Sequence, residues 1–156
     1  SKGISGGYLP LSVVLTNDRI YGAFYDDATV RGFLHSHSYT GNALACRAAL
    51  ATLDIFAEDN VLASNRARGD RMEALLLPLA SHTKVRHFRR RGMIHAFDVD
   101  ADPGFGRRFY REALKRELLL RPIGNTIYVM PPYVLGDEES AFLAQNASEA
   151  LEAALK

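Results

Sequence analysis

Three places in this chain hold residue types that could do chemistry. The first is Lys2, in Ser1-Lys2-Gly3-Ile4-Ser5-Gly6-Gly7. A lysine amine becomes a Schiff-base nucleophile when it is desolvated and its pKa falls. Small neighbours let a flat group approach the backbone. On its own the motif is a weak signal, since a lysine near a terminus is usually a solvated charge. The second is His35-Ser36-His37-Ser38-Tyr39-Thr40-Gly41-Asn42, which gathers hydroxyls and backbone N–H groups just ahead of a helical pattern. Such a segment can hold a phosphate, or can simply be a capped loop. The third is Arg121 in Leu120-Arg121-Pro122-Ile123-Gly124-Asn125, an arginine at the start of a turn. Its planar fork can clamp a carboxylate through two parallel bonds, and a surface arginine is the alternative.

Two other clusters suggest different chemistry. His35 and His37 are spaced as a metal pair would be, but His82, His87 and His95 are far away in sequence and supply no obvious third ligand. Arg86-His87-Phe88-Arg89-Arg90-Arg91 is the one basic run. It could touch nucleic acid. In a strand its alternate residues would instead face solvent at a sheet edge.

The composition narrows the classes. Of 156 residues, 47% are hydrophobic and 24% charged, which is enough apolar mass for a core and argues against disorder. The net charge of +1 does not favour a general nucleic-acid binder. The single cysteine, Cys46, cannot form an internal disulfide, so a disulfide-stapled secreted scaffold is not expected. No apolar stretch has the roughly 20 residues of a membrane span, and no signal peptide is visible. A cytoplasmic protein without membrane or nucleic-acid partners is the expectation. The opening on Ser1 rather than Met leads us to expect part of something longer.

The elements that must position these residues change character at about Asn42. Residues 1–41 are rich in glycine and read as loops and turns, with a buried strand over 9–16 and a short helix or turn over 18–24. Asn42 predicts an N-cap for a helix over 43–58. Asn60 predicts a second helix to about Ala80, with Val61, Leu62, Met72, Leu75, Leu76 and Leu79 as its apolar face and Pro78 disturbing its last turn. Strands are expected over 85–91 and 93–99 around Gly92. A helix opened by Asp102-Pro103-Gly104 should run to about Glu117. Two further strands are expected over 118–121 and 126–130, then a helix capped by Asp137 to about Leu155. The order after Asn42 is ααββαββα, a small α+β domain with helices covering a sheet.

The three motifs together resemble class III pyridoxal-phosphate aminotransferases. Ser1 to Leu11 resembles the segment bearing the family's cofactor lysine. His35 to Asn42, followed by Ala43-Leu44-Ala45-Cys46, resembles its loop and following helix. Arg121-Pro122 with Ile127-Tyr128-Val129-Met130-Pro131-Pro132-Tyr133 resembles its substrate-binding segment. The order and separations also agree.

The resemblance implies the C-terminal portion of a fold type I aminotransferase. Residues 1–41 would end the α/β cofactor-binding large domain, their strands separated from the sheet they belong to. Residues 42–156 would form the small α+β domain. It further implies pyridoxal 5'-phosphate as cofactor and an amino group passed from a small-molecule donor to a keto-acid acceptor. Lys2 would carry the cofactor and move protons. Ser38 would bind the cofactor phosphate across a homodimer interface, with His37 beside it where some members have Pro. Ser36 would stand at a substrate contact where many members have Gly, and Arg121 would pair with the substrate carboxylate. The remaining cofactor contacts are expected upstream of the lysine. A non-catalytic interaction module that keeps the fold and the dimer surface is the rival reading.

Overall fold

The structure, a computed structural model, describes residues 2–156. Ser1 of the Lys2 motif lies outside the described residues. The chain divides into two compact units, one running to Val61 and the other from Leu62 to Lys156.

The first unit is mostly turns. Gly6 N–H donates to Gly3 O at 2.9 Å and Tyr8 N–H to Ser5 O at 3.2 Å. Gly6 and Gly7 take positive φ, 61° and 82°, which glycine adopts at no steric cost. Ser5 is buried, and its hydroxyl donates to Leu9 O at 2.5 Å. Helix α1, Asp18–Gly22, starts where Asn17 Oδ1 accepts from Ile20 N–H at 3.1 Å. Helix α2, Ala43–Glu58, starts as predicted, with Asn42 Oδ1 accepting from Ala45 N–H. Its buried residues, Ala45 and Ala49, are one helical repeat apart and define a single inward stripe. The larger Leu44, Leu53 and Phe56 stay exposed.

The strand expected over 9–16 is absent. No strand ladder forms over it among the described residues, and Val14 and Leu15 are about nine-tenths exposed. An extended segment becomes a strand only when a neighbour completes its hydrogen bonds, and a suitable apolar pattern cannot supply that neighbour.

The second unit carries the sheet. Helix α3, Val61–Ala80, buries Met72, Leu76 and Leu79 along one stripe, and it accommodates Pro78 by ending two residues later. Strands β1 (Val85–Arg91), β2 (Ile94–Val99) and β3 (Thr126–Val129) form an antiparallel sheet in the order β1-β2-β3. Gly92, at φ 58°, makes the tight β1–β2 turn, and a bulge at His87 interrupts the β1 register. Helices α4 (Phe105–Leu114) and α5 (Asp137–Ala154) complete the unit.

The core joins sheet residues Phe97, Val99, Ile127 and Val129 to Phe105, Phe109 and Ala113 of α4 and to Ala147, Ala150 and Leu151 of α5. Alanines on α5 allow it to lie close to α4, while the phenylalanines supply most of the buried apolar area. No described helix is long and apolar enough to cross a membrane.

Three element boundaries differ from expectation. Helix α4 stops at Leu114 rather than about Glu117. Glu117 takes the left-handed conformation, φ 62°, and Leu118 N–H closes back on Ala113 O at 2.9 Å. The strand expected over 118–121 is an extended run without a ladder. Its alternation is real, with Leu118 and Leu120 buried and Leu119 exposed, but those leucines anchor the chain to the core and not to a strand neighbour. The cap of α5 is Gly136, whose carbonyl accepts from Ser140 Oγ at 2.6 Å. Asp137 is the first helical residue, where a carboxylate suits the helix dipole.

Candidate functional site

Lys2 is exposed beside the Gly3–Gly7 turn. Its side chain makes no hydrogen bond or ion pair among the described residues. A Cβ built on Gly3 or Gly7 would meet nothing within 4 Å, so the turn beside Lys2 is uncrowded.

The segment 36–42 is exposed but internally shaped. His37 N–H donates to Thr40 Oγ1 at 3.2 Å, and Thr40 N–H donates to His37 O at 3.0 Å. Tyr39 N–H donates to His37 Nδ1 at 3.1 Å, so in the neutral ring the proton sits on Nε2. His37 is thus engaged in holding the loop. The Ser36 and Ser38 hydroxyls have no protein partner among the described residues. The loop runs directly into Asn42, the α2 cap. No hydrogen bond or ion pair joins Lys2 to Ser36, His37 or Ser38 among the described residues.

Arg121 belongs to the second unit and is exposed. Buried Leu120 fixes the chain before it. After it, Ile123 and Thr126 exchange two backbone hydrogen bonds, 2.9 and 3.0 Å, and close the turn through Gly124 and Asn125. Arg121 lines two clefts. One, of about 280 Å³, is mostly apolar, with Leu118, Leu120, Val129, Met130, Pro131 and Leu135. The other, of about 570 Å³, brings in Arg107, Tyr110 and Arg111 of α4 and Pro122, Gly124 and Asn125 of the turn.

Arg107 and Arg111 were not singled out from the sequence. A usable signal was present: the two are four apart on α4, and no Asp or Glu stands three or four residues from either. The nearby acids are committed elsewhere. Arg108 holds Asp102 through bonds of 3.0 and 2.6 Å, which lowers the carboxyl below its ordinary range. Lys115 and Arg116 do the same to Glu112.

The basic run lies on β1, an edge strand, and is largely neutralised. Arg89 makes a two-pronged pair with Asp98 at 3.2 Å. Arg90 reaches Asp70 at 2.6 Å and Glu73 at 2.8 Å. Arg86 lies 4.0 Å from Asp100. A paired edge is a poor phosphate-backbone surface. His35 and His37 join no group of three metal-ligating residues among the described residues.

The donor set fits the cofactor that the sequence resemblance implies. An exposed amine without a partner among the described residues suits an aldehyde, and the Ser38 hydroxyl, also without a protein partner there, suits a phosphate.

Comparison with known proteins identifies the family of the chain. A family model described as aminotransferase class III matches residues 1–155. Adenosylmethionine-8-amino-7-oxononanoate aminotransferase of Helicobacter pylori is 48% identical over 146 residues, 89% of this chain and 34% of that protein. The protein of the same name from Nitratidesulfovibrio vulgaris is 38% identical over 97% of this chain and 30% of its own length. The solved structure of adenosylmethionine-8-amino-7-oxononanoate aminotransferase from Methanocaldococcus jannaschii superposes with a TM-score of 0.86 at 33% identity, over 96% of this chain and 37% of that one. A Bacillus anthracis aminotransferase gives 0.85 at 25% identity, over 96% of this chain and 37% of its own. The chain spans about a third of the length of the curated relatives it matches. With a family match that takes in Lys2, the 36–42 loop and Arg121 alike, the chain belongs to the class III aminotransferases.

Proposed function

We propose that the protein carrying this chain is a pyridoxal-phosphate-dependent transaminase. In this reading it transfers an amino group from S-adenosylmethionine to 8-amino-7-oxononanoate, giving 7,8-diaminononanoate for biotin biosynthesis. One observation carries the reading: relatives named for that aminotransferase match across 88–98% of this chain. The substrate-specific part finds support at Arg121, which stands on the rim of an apolar cleft as a carboxylate on an aliphatic chain would require.

The residue roles are those that the family resemblance implies. When bound, pyridoxal phosphate supplies an electron-withdrawing ring that acidifies the carbon bearing the transferred nitrogen. Lys2 would hold the cofactor through its Nζ and, once free, its amine would carry a proton from the carbon on one side of the transferred nitrogen to the carbon on the other. The Ser38 hydroxyl donates to the phosphate of the neighbouring subunit, with the loop held by His37, and Ser36 lies against the substrate. Arg121 pairs with the acceptor carboxylate and sets the distance to the reacting carbon. Residues 1–41 end the large domain, 42–156 form the small domain, and the 31–42 segment lies at a homodimer interface in the cytoplasm.

The test uses protein expressed from its complete reading frame. Absorption of a lysine-bound cofactor near the visible edge, lost in Lys2→Ala, is expected. Product formation with S-adenosylmethionine as donor, compared with lysine as donor, checks the substrate assignment. An intact fold without that absorption would support the non-catalytic module instead.

A further inference from the structure

We infer that, on the reading above in which Arg121 pairs with the acceptor carboxylate, Asn125 is a positioning residue for Arg121. Its side-chain amide draws the 122–125 turn onto the end of β2 and so sets where the guanidinium meets its ligand. Asn125 is the one residue of the turn with a polar side chain. Its Nδ2 donates to Ala101 O at 2.7 Å, and its own carbonyl accepts from Val99 N–H at 3.0 Å. The turn is thereby tied both to β2 and to the connection that leaves it. That connection is itself fixed. Asp100 N–H donates to Lys84 O at 2.8 Å, Ala101 packs against the core, and Asp102 is held by Arg108.

The other restraints on the turn act differently. The Ile123–Thr126 backbone pair fixes its internal shape and ties it to nothing else. The Gly106 contact limits its approach to α4, and a steric contact resists compression and not withdrawal. Attraction to a neighbouring element comes from Val99 N–H and from the Asn125 amide, and only the second is supplied by a side chain. Arg121 is held closely to the turn. Leu120 is buried before it, and Pro122 after it keeps Arg121 out of the helical backbone region. Arg121, Gly124 and Asn125 line one cleft, so a displaced turn is felt at the guanidinium. A two-pronged arginine–carboxylate pair tolerates little misalignment, and a shift of about 1 Å can cost about 100-fold in rate.

The test is single-turnover kinetics of the acceptor half-reaction in enzyme expressed from its complete reading frame. The acceptor is 8-amino-7-oxononanoate, and the comparator is the same ketone with methyl in place of the carboxylate. Asn125→Ala should raise the half-saturating concentration of the acid by about fivefold or more and leave its limiting rate and the comparator unchanged. In an Arg121→Ala background the same substitution should have no further effect. Asn125→Asp keeps the shape but sets an oxygen against the Ala101 carbonyl, and it should show the same selectivity with at least as large a loss. Cofactor absorption near the visible edge confirms that each variant is folded and loaded. A residue that merely supports the fold would weaken acid and comparator alike and add its loss to that of Arg121→Ala, and either result overturns the role of Asn125. Unchanged kinetics in both Asn125 variants, beside a weakened Arg121→Ala, overturn it while leaving the carboxylate reading of Arg121 intact. Unchanged kinetics in Arg121→Ala overturn both.

Discussion

Gly106 of α4 and Gly124 of the following turn meet backbone to backbone, and the space a methyl group on Gly106 would need is occupied by the Gly124 carbonyl. Arg121 therefore sits next to a fixed contact and not on a free loop. Gly106→Ala should force the turn away from α4 and destabilise the protein by about 1–3 kcal/mol, the range for overpacking. The urea unfolding midpoint reads this directly. An unchanged midpoint would mean that the turn yields at no cost.

Arg121 gives a sharper functional prediction. Arg121→Lys keeps the charge and loses the fork, so the acceptor half-reaction should weaken by about 1–3 kcal/mol. If the donor carboxylate uses the same arginine, both half-reactions will slow together. Cofactor binding should persist, because Arg121 does not hold the phosphate in this reading. Single-turnover kinetics of each half-reaction separate these effects, and unchanged rates in Arg121→Ala would return the residue to the general surface.

His95 should make stability depend on pH. The ring is fully buried on β2, with Nε2 3.3 Å from Gly69 O and Nδ1 without a partner. Burial is the main cause that pulls its pKa below the ordinary 6.5; nearby Arg90 adds to this, while contact with Gly69 O opposes it. The unfolded chain then binds a proton that the folded chain refuses. Stability is full above 6.5 and falls as pH drops from there toward the folded pKa. His95→Gln should flatten this slope. Urea midpoints between about pH 8 and about pH 5 measure it, and identical slopes in both proteins would assign the effect to other groups.

Thr126 and Asp98 are register partners across β2 and β3, and the hydroxyl donates to the carboxylate at 2.8 Å. This bond, then the pair with Arg89, lowers the Asp98 pKa from its ordinary value of 3.8. The associated stability is present above 3.8 and is lost as pH falls through the folded value. Thr126→Val keeps the shape and removes the donor. It should cost about 0.5–1.5 kcal/mol near neutral pH, toward the low end because the carboxylate is partly exposed. The acid-unfolding midpoint should also rise, and circular dichroism against pH would show an unmoved midpoint if the bond contributes nothing.

What could be read from the sequence was mostly local. Asn42 announces its helix because an N-cap is an interaction over three residues. Gly92 announces the β1–β2 turn for the same reason. The 9–16 segment misled because its apolar, β-branched pattern describes a strand whose neighbour is not among the described residues. The 118–121 run misled because burial of alternate leucines looks the same with or without a ladder. At the candidate site, Lys2, Ser38 and Arg121 were legible as motifs. Arg107 and Arg111 carried a sequence signal in their spacing and lack of acidic neighbours, but their place in the same cleft as Arg121 needed the fold.

The 9–16 segment, extended and outside any strand ladder, also bears on handling the protein. Val13, Val14 and Leu15 form an uncharged, β-prone stretch that is half to nine-tenths exposed. Such stretches seed cross-β stacking between molecules, and here only Pro10 guards one flank. Preparations of this chain alone should shed fibrillar precipitate as they are concentrated, with thioflavin fluorescence rising as protein leaves solution. A charge placed in the stretch, Val14→Lys, should raise the concentration at which this begins without disturbing the α3–α5 unit.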